Sequence, residues 1–139
     1  MTKISYIIVG VAVWAGMASN AISQSPVFKK ADQYFEAEAY PAAAKIYLER
    51  LETEGFDQRA CERLAKCYQN TGQQEEAAKW YEKAAPQTRS ADVAYDYAQV
   101  LKMGGNYKKA AEMFDKFGEL SQKYDEARSQ AEACERAEV

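Results

Sequence analysis

The side chains best suited to reactive chemistry in this sequence are three thiols, Cys61, Cys67 and Cys134, and no histidine accompanies them. Without histidine there is no imidazole for general acid/base work, no Ser-His-Asp triad and none of the commonest metal ligand. Cys61 and Cys67 are six residues apart in a stretch that reads as helix. That spacing puts them on different faces, separated by about 9 Å of rise, whereas a disulfide needs Cα atoms within about 7 Å. Cys134 lies far along the chain, and three thiols without histidine or close spacing make a poor zinc set. Cys61 and Cys134 fall on columns that normally face the core, so buried thiols are expected, although an odd thiol leaves intermolecular pairing open. Acidic pairs such as Glu75-Glu76 sit among lysines, as on a solvated helix face. Gly104-Gly105 reads as a turn rather than a phosphate-binding loop. The expectation is a protein that is not an enzyme, with no catalytic residue, no metal and no cofactor.

The elements that carry these residues are helical. Ala, Glu, Lys and Gln are abundant, while glycine and proline number seven and three in 139 residues, so composition favours helix throughout. Three segments repeat. A small residue in a first helix recurs at Ala31, Ala65 and Ala98, at intervals of 34 and 33. A small residue in a second helix recurs at Ala43, Ala77 and Ala110, and a large aromatic one turn later at Tyr47, Tyr81 and Phe114, at the same intervals. Paired helices approach closely only where side chains are small, and aromatics fill the space beside the crossing. Asn70-Thr71-Gly72 and Gly104-Gly105-Asn106 mark tight turns between paired helices. The first repeat has Glu38-Ala39 there, a weaker turn, followed by Pro41 at the start of a helix, where a missing N–H costs little.

A helix-turn-helix period of this length resembles that of the tetratricopeptide repeat (TPR). The family's first-helix pattern appears as Cys61, Leu64, Ala65 and Tyr68, and its second-helix pattern as Ala77, Tyr81 and Ala84. The first repeat departs from it at Lys30 and Arg50, where Leu and Ala are usual, and Pro86 comes early in the second. The fold expected is all-α: three repeats within residues 24–121 (about 26–55, 58–86 and 91–121), then a capping helix and tail over 122–139, seven helices in all. The phrases Ala31-Asp32-Gln33-Tyr34-Phe35, Ala77 to Lys83 and Tyr95 to Lys102 resemble the N-terminal repeat region of OmpA-family outer-membrane proteins of Bacteroidetes, some of them associated with type IX secretion and gliding. The resemblance implies a role in cell-envelope assembly, either for a stand-alone short relative or for part of a longer protein.

Residues 1–23 have the layout of a secretory signal peptide: Lys3, an uncharged apolar run from Ile4 to Met17, then small residues. Cleavage after Ser23 is favoured over cleavage after Ala21. The run is short for a membrane span, which needs roughly 20 apolar residues. Lys3 is the only charged residue before Lys29, so the mature chain keeps 17 of the 18 basic residues against 21 acidic ones, a net −4. An acidic chain with interleaved charges is unsuited to nucleic acid. The expected location is the periplasm, with outer-membrane association, and no membrane span after cleavage.

In a stack of such hairpins the first helices line a concave groove. Counting from the alanine columns, that face carries Phe28, Asp32 and Phe35, then Glu62, Lys66 and Gln69, then Tyr95, Gln99 and Lys102. It suits an extended peptide or a helix of another protein, with Phe28, Phe35 and Tyr95 as aromatic anchors. The lysine-rich carboxylate clamp of chaperone-tail-binding TPRs is not reproduced, because Asp32 and Glu62 stand at its positions. A binding module for a glycan or cell-wall fragment, using the aromatics as a platform, is the alternative reading.

Overall fold

A computed structural model describes residues 26–139; the proposed signal peptide lies outside the described residues. A short 3-10 turn, Pro26–Phe28, leads into seven α-helices: α1 (Lys29–Glu36), α2 (Tyr40–Glu54), α3 (Gln58–Asn70), α4 (Gln74–Ala84), α5 (Ala91–Met103), α6 (Tyr107–Ser121) and α7 (Tyr124–Glu138). No strand occurs among the described residues. The helices pair as hairpins, α1 with α2, α3 with α4 and α5 with α6. Each hairpin packs on the next, and α7 lies against α6.

The alanine and aromatic columns form the core. Ala31, Ala65 and Ala98, and Ala43, Ala77 and Ala110, are fully enclosed, as are Tyr47, Tyr81 and Phe114. Helix starts follow local chemistry. The Asp57 carboxylate accepts a hydrogen bond from the Ala60 N–H at 2.8 Å, and the Ser90 hydroxyl accepts one from Val93 at 3.3 Å. Each satisfies a backbone donor that the helix itself leaves free.

The three hairpin turns share one geometry. The backbone N–H groups of Ala39, Gln73 and Asn106 bond the carbonyls of Tyr34, Tyr68 and Leu101, each at 2.9 Å. The turn needs a left-handed residue, with φ of +78° at Gly72 and +77° at Gly105. In the first hairpin that seat falls to Glu38, with φ of +56°. A side chain there costs about 1–2 kcal/mol relative to glycine. Glu38→Gly is therefore expected to raise stability by up to about 1 kcal/mol despite the extra freedom it gives the unfolded chain. An unchanged or lower urea midpoint would contradict this account of the turn.

Helix α7 extends the pattern. Ala131 follows Ala98 by 33 residues, and Ala127 and Cys134 complete its buried stripe. Its approach to α6 depends on Gly118, where a Cβ would lie 2.7 Å from that of Ala127. The outer side of α7 carries Asp125, Glu126, Glu132 and Glu135, all exposed, as a solenoid end facing water requires.

Candidate partner-binding face

The first helices α1, α3 and α5, with α7, form one wall of the stack. Polar contacts tie each to the next. Between α1 and α3, the Arg63 guanidinium donates to Asp32 Oδ1 at 3.0 Å and to Glu36 Oε1 at 2.6 Å, while Arg59 lies 3.5 Å from Asp32 Oδ2. Between α3 and α5, Lys66 Nζ meets Asp96 Oδ2 at 2.7 Å. Between α5 and α7, Lys102 Nζ donates to Gln130 Oε1 at 3.4 Å. Spacings of 31, 30 and 28 residues place these rungs roughly one repeat apart.

Asp32 is 7% exposed. It also accepts a hydrogen bond from the Tyr47 hydroxyl of α2. A buried carboxylate is tolerable only when paired and hydrogen-bonded, and Tyr47, Arg59 and Arg63 meet that condition. Burial, then the Asp32 hydrogen bond, pushes the Tyr47 phenol well above its ordinary range, so it stays a donor.

The nine residues expected to meet a partner divide sharply. Phe28 is buried, its ring 6.1 Å from that of Tyr47, so it is a core residue and not an anchor. Asp32 is likewise consumed inside the stack. Phe35 is half-buried, edge-on to Tyr40 at 5.8 Å and covered by Arg63 4.6 Å above its ring. Tyr95 packs on Phe114 and Phe117 at 5.7 and 5.1 Å. The physical reason is common to all these rings: burying apolar area inside the hairpin stabilises the chain whether or not a partner is present. Glu62 accepts from Gln58 Nε2 at 2.6 Å, and Gln69 Oε1 from the Tyr81 hydroxyl at 2.8 Å. Lys66, Gln99 and Lys102 are half-buried on the same wall. The Gln69 and Gln130 amides use their oxygens, while no partner occupies their NH2 groups or Gln99 among the described residues. Half the wall is therefore closed by internal pairing, and α3, α5 and α7 carry amide donors and cations suited to carbonyls and carboxylates.

Sequence reasoning missed Glu36, Arg59, Arg63, Asp96 and Gln130 as members of this wall. The detectable trace was opposite charge recurring near the repeat spacing, as in Asp32 with Arg63 and Lys66 with Asp96.

The thiols offer no chemistry here. Cys61, Cys67 and Cys134 are all unpaired and buried. Burial raises all three, Cys67 to about 12, so each remains a neutral thiol at neutral pH. Among the described residues no His/Cys/Asp/Glu group could hold a metal ion, and no helix is long and apolar enough to cross a membrane.

No family model matches this chain, and no curated protein does. Solved structures do. The type III secretion chaperone SycD of Yersinia enterocolitica, in complex with a peptide of the translocator YopD, superposes with a TM-score of 0.66 at 19% identity, over 81% of this chain and 92% of SycD. The fold is a TPR-type solenoid. The C-terminal TPR-containing domain of a Plasmodium falciparum chain described as an FK506-binding protein gives 0.64 at 18% identity, covering 79% and 84%. PcrH, in complex with the chaperone binding region of PopB, gives 0.61 at 18% identity, covering 88% and 98%. At such identities the likeness concerns fold. The Bacteroidetes OmpA-family link has no counterpart among these matches.

Proposed function

We propose that this chain is a non-enzymatic adaptor that holds an extended segment of another protein along the wall formed by α3, α5 and α7. The observation that carries the reading is the row of free amide donors at Gln69, Gln99 and Gln130 on successive helices, beside Lys66 and Lys102, whose ammonium groups are each engaged once within the chain. Two of the similar structures hold segments of other proteins: SycD a peptide of YopD, and PcrH the chaperone binding region of PopB. Stacked helical repeats present an extended surface, and a surface formed before binding lowers the ordering cost of holding an extended guest.

The finer reading places this adaptor in the periplasm, within an outer-membrane or periplasmic assembly, with type IX secretion or gliding machinery as the specific context. The apolar run Ile4–Met17 with its small-residue tail supports export, and the quoted repeat phrases support the envelope role. The glycan-binding alternative needs free aromatic faces, whereas Phe28, Phe35 and Tyr95 are packed within the chain, which favours a protein guest.

The test is recovery of a complex from detergent-solubilised envelopes through the tagged protein, compared with the double variant Gln99→Ala/Lys102→Ala. Two lost polar contacts of about 1 kcal/mol each should lower recovery about tenfold or more. Recovery of a lone monomer, or equal recovery with the variant, would count against the adaptor reading.

A further inference from the structure

The end of the solenoid where the described chain begins differs from its repeats in charge. Lys30 occupies the column of Leu64 and Tyr97, and Arg50 that of Ala84 and Phe117; those four later residues are all core. At this end no preceding hairpin covers the column, so both cations stand exposed. With Val27, Lys29 and Gln33 they wall an open cleft of about 670 Å³. Three of its five lining residues are cationic, one is an amide donor and none is acidic. Lys29 also borders Asp32 and Glu36 in a neighbouring cleft, but Arg63 engages both of those carboxylates and Arg59 lies beside Asp32. Neither Lys29, Lys30 nor Arg50 forms an ion pair among the described residues, and residues 1–25 contain no Asp or Glu to supply one. In a chain of net charge −3, this concentration of unpaired positive charge stands apart from the interleaved charges elsewhere.

A second observation says what faces it. The apolar run ends at Met17, so at most about 30 Å of extended chain separates it from Pro26, which opens the fold beside this cleft. Before the leader is cleaved, while that run occupies a bilayer, this end of the solenoid lies within reach of the headgroups. We propose that Lys29, Lys30 and Arg50 form a docking surface for anionic phospholipid headgroups, whose phosphates the two lysines and the guanidinium fit as donors. The surface is distinct from the wall assigned to a protein guest, so the α3, α5 and α7 face stays open while the chain rests on a membrane.

The experiment is sedimentation of the full chain with vesicles of pure phosphatidylcholine and of phosphatidylcholine with 25% phosphatidylglycerol. The apolar run contributes equally to both, so the difference between them reads the basic end. A basic residue near an anionic surface changes partitioning about fivefold. The wild-type protein should therefore favour the anionic vesicles by about tenfold or more, and lose that preference in about 0.5 M salt as screening shortens the range of attraction. The variant Lys29→Glu/Lys30→Glu/Arg50→Glu should lose the preference. The variant Lys108→Glu/Lys123→Glu/Arg128→Glu makes the same change in net charge at exposed positions of the last hairpin and α7, and should keep most of it. Equal partitioning of wild type to both vesicles, or an equal loss in the two variants, would overturn the proposal. Helical circular dichroism of each variant shows that the fold survives.

Discussion

Replacing Asp32 by alanine should lower the unfolding free energy by about 3 kcal/mol, the low end of what removing one member of a buried charge cluster costs. The reason is what the substitution leaves behind. Arg63, whose side chain is 17% exposed, would keep the exposed Glu36 as its one carboxylate partner, and the buried Tyr47 hydroxyl would lose its acceptor. Asp32→Asn retains an acceptor of the same shape and should cost less, about 1–2 kcal/mol. Urea melts followed by circular dichroism measure both. If Asp32→Ala melts at the wild-type midpoint, the cluster does not hold the first two hairpins together.

A comparable loss is expected at Phe114. Its ring is fully enclosed between α5 and α6 and packs edge-on against Tyr95. Phe114→Ala would open a cavity at the hairpin crossing beside Ala98 and Ala110, where rigid neighbours cannot collapse inward. Burial of this kind is worth about 3–5 kcal/mol, a large share of the 5–15 kcal/mol that usually stabilises a domain. The melting temperature should then fall by about 10 °C or more. Phe114→Leu keeps most of the volume and should stay folded. A cooperative melt for Phe114→Ala within a few degrees of wild type would show that the aromatic column is not what supports the stack.

These columns are also why the architecture was legible in the chain. Ala31, Ala65 and Ala98 are enclosed in the same cores as Ala43, Ala77 and Ala110; small residues let paired helices come close, and that constraint leaves a fixed sequence period. The hairpin turns were legible for a similar reason where glycine takes the left-handed seat. Glu38 weakened the signal in the first hairpin because tertiary packing there overrides local preference. The candidate wall was harder to read. Counting from the alanines picked out residues on α1, α3 and α5 but could not say that α1 spans only Lys29–Glu36, which leaves Phe28 in a tight turn over Tyr47. Nor could it show that Asp32 would find partners on both α2 and α3. Pairwise satisfaction of buried charge depends on side chains meeting across hairpins, and the repeat period constrains those encounters only weakly.

The eight-residue α1 has a further consequence. A stack whose units touch only their neighbours loosens from its ends, and here the first unit combines the shortest helix with an ill-suited residue in its bend. Partial unfolding should release that unit before the rest yields, stripping Arg59 and Arg63 of their main counter-charges. The chain thus has a built-in weak link at one end, and opening there would be confined to one hairpin while the later helices keep their shape.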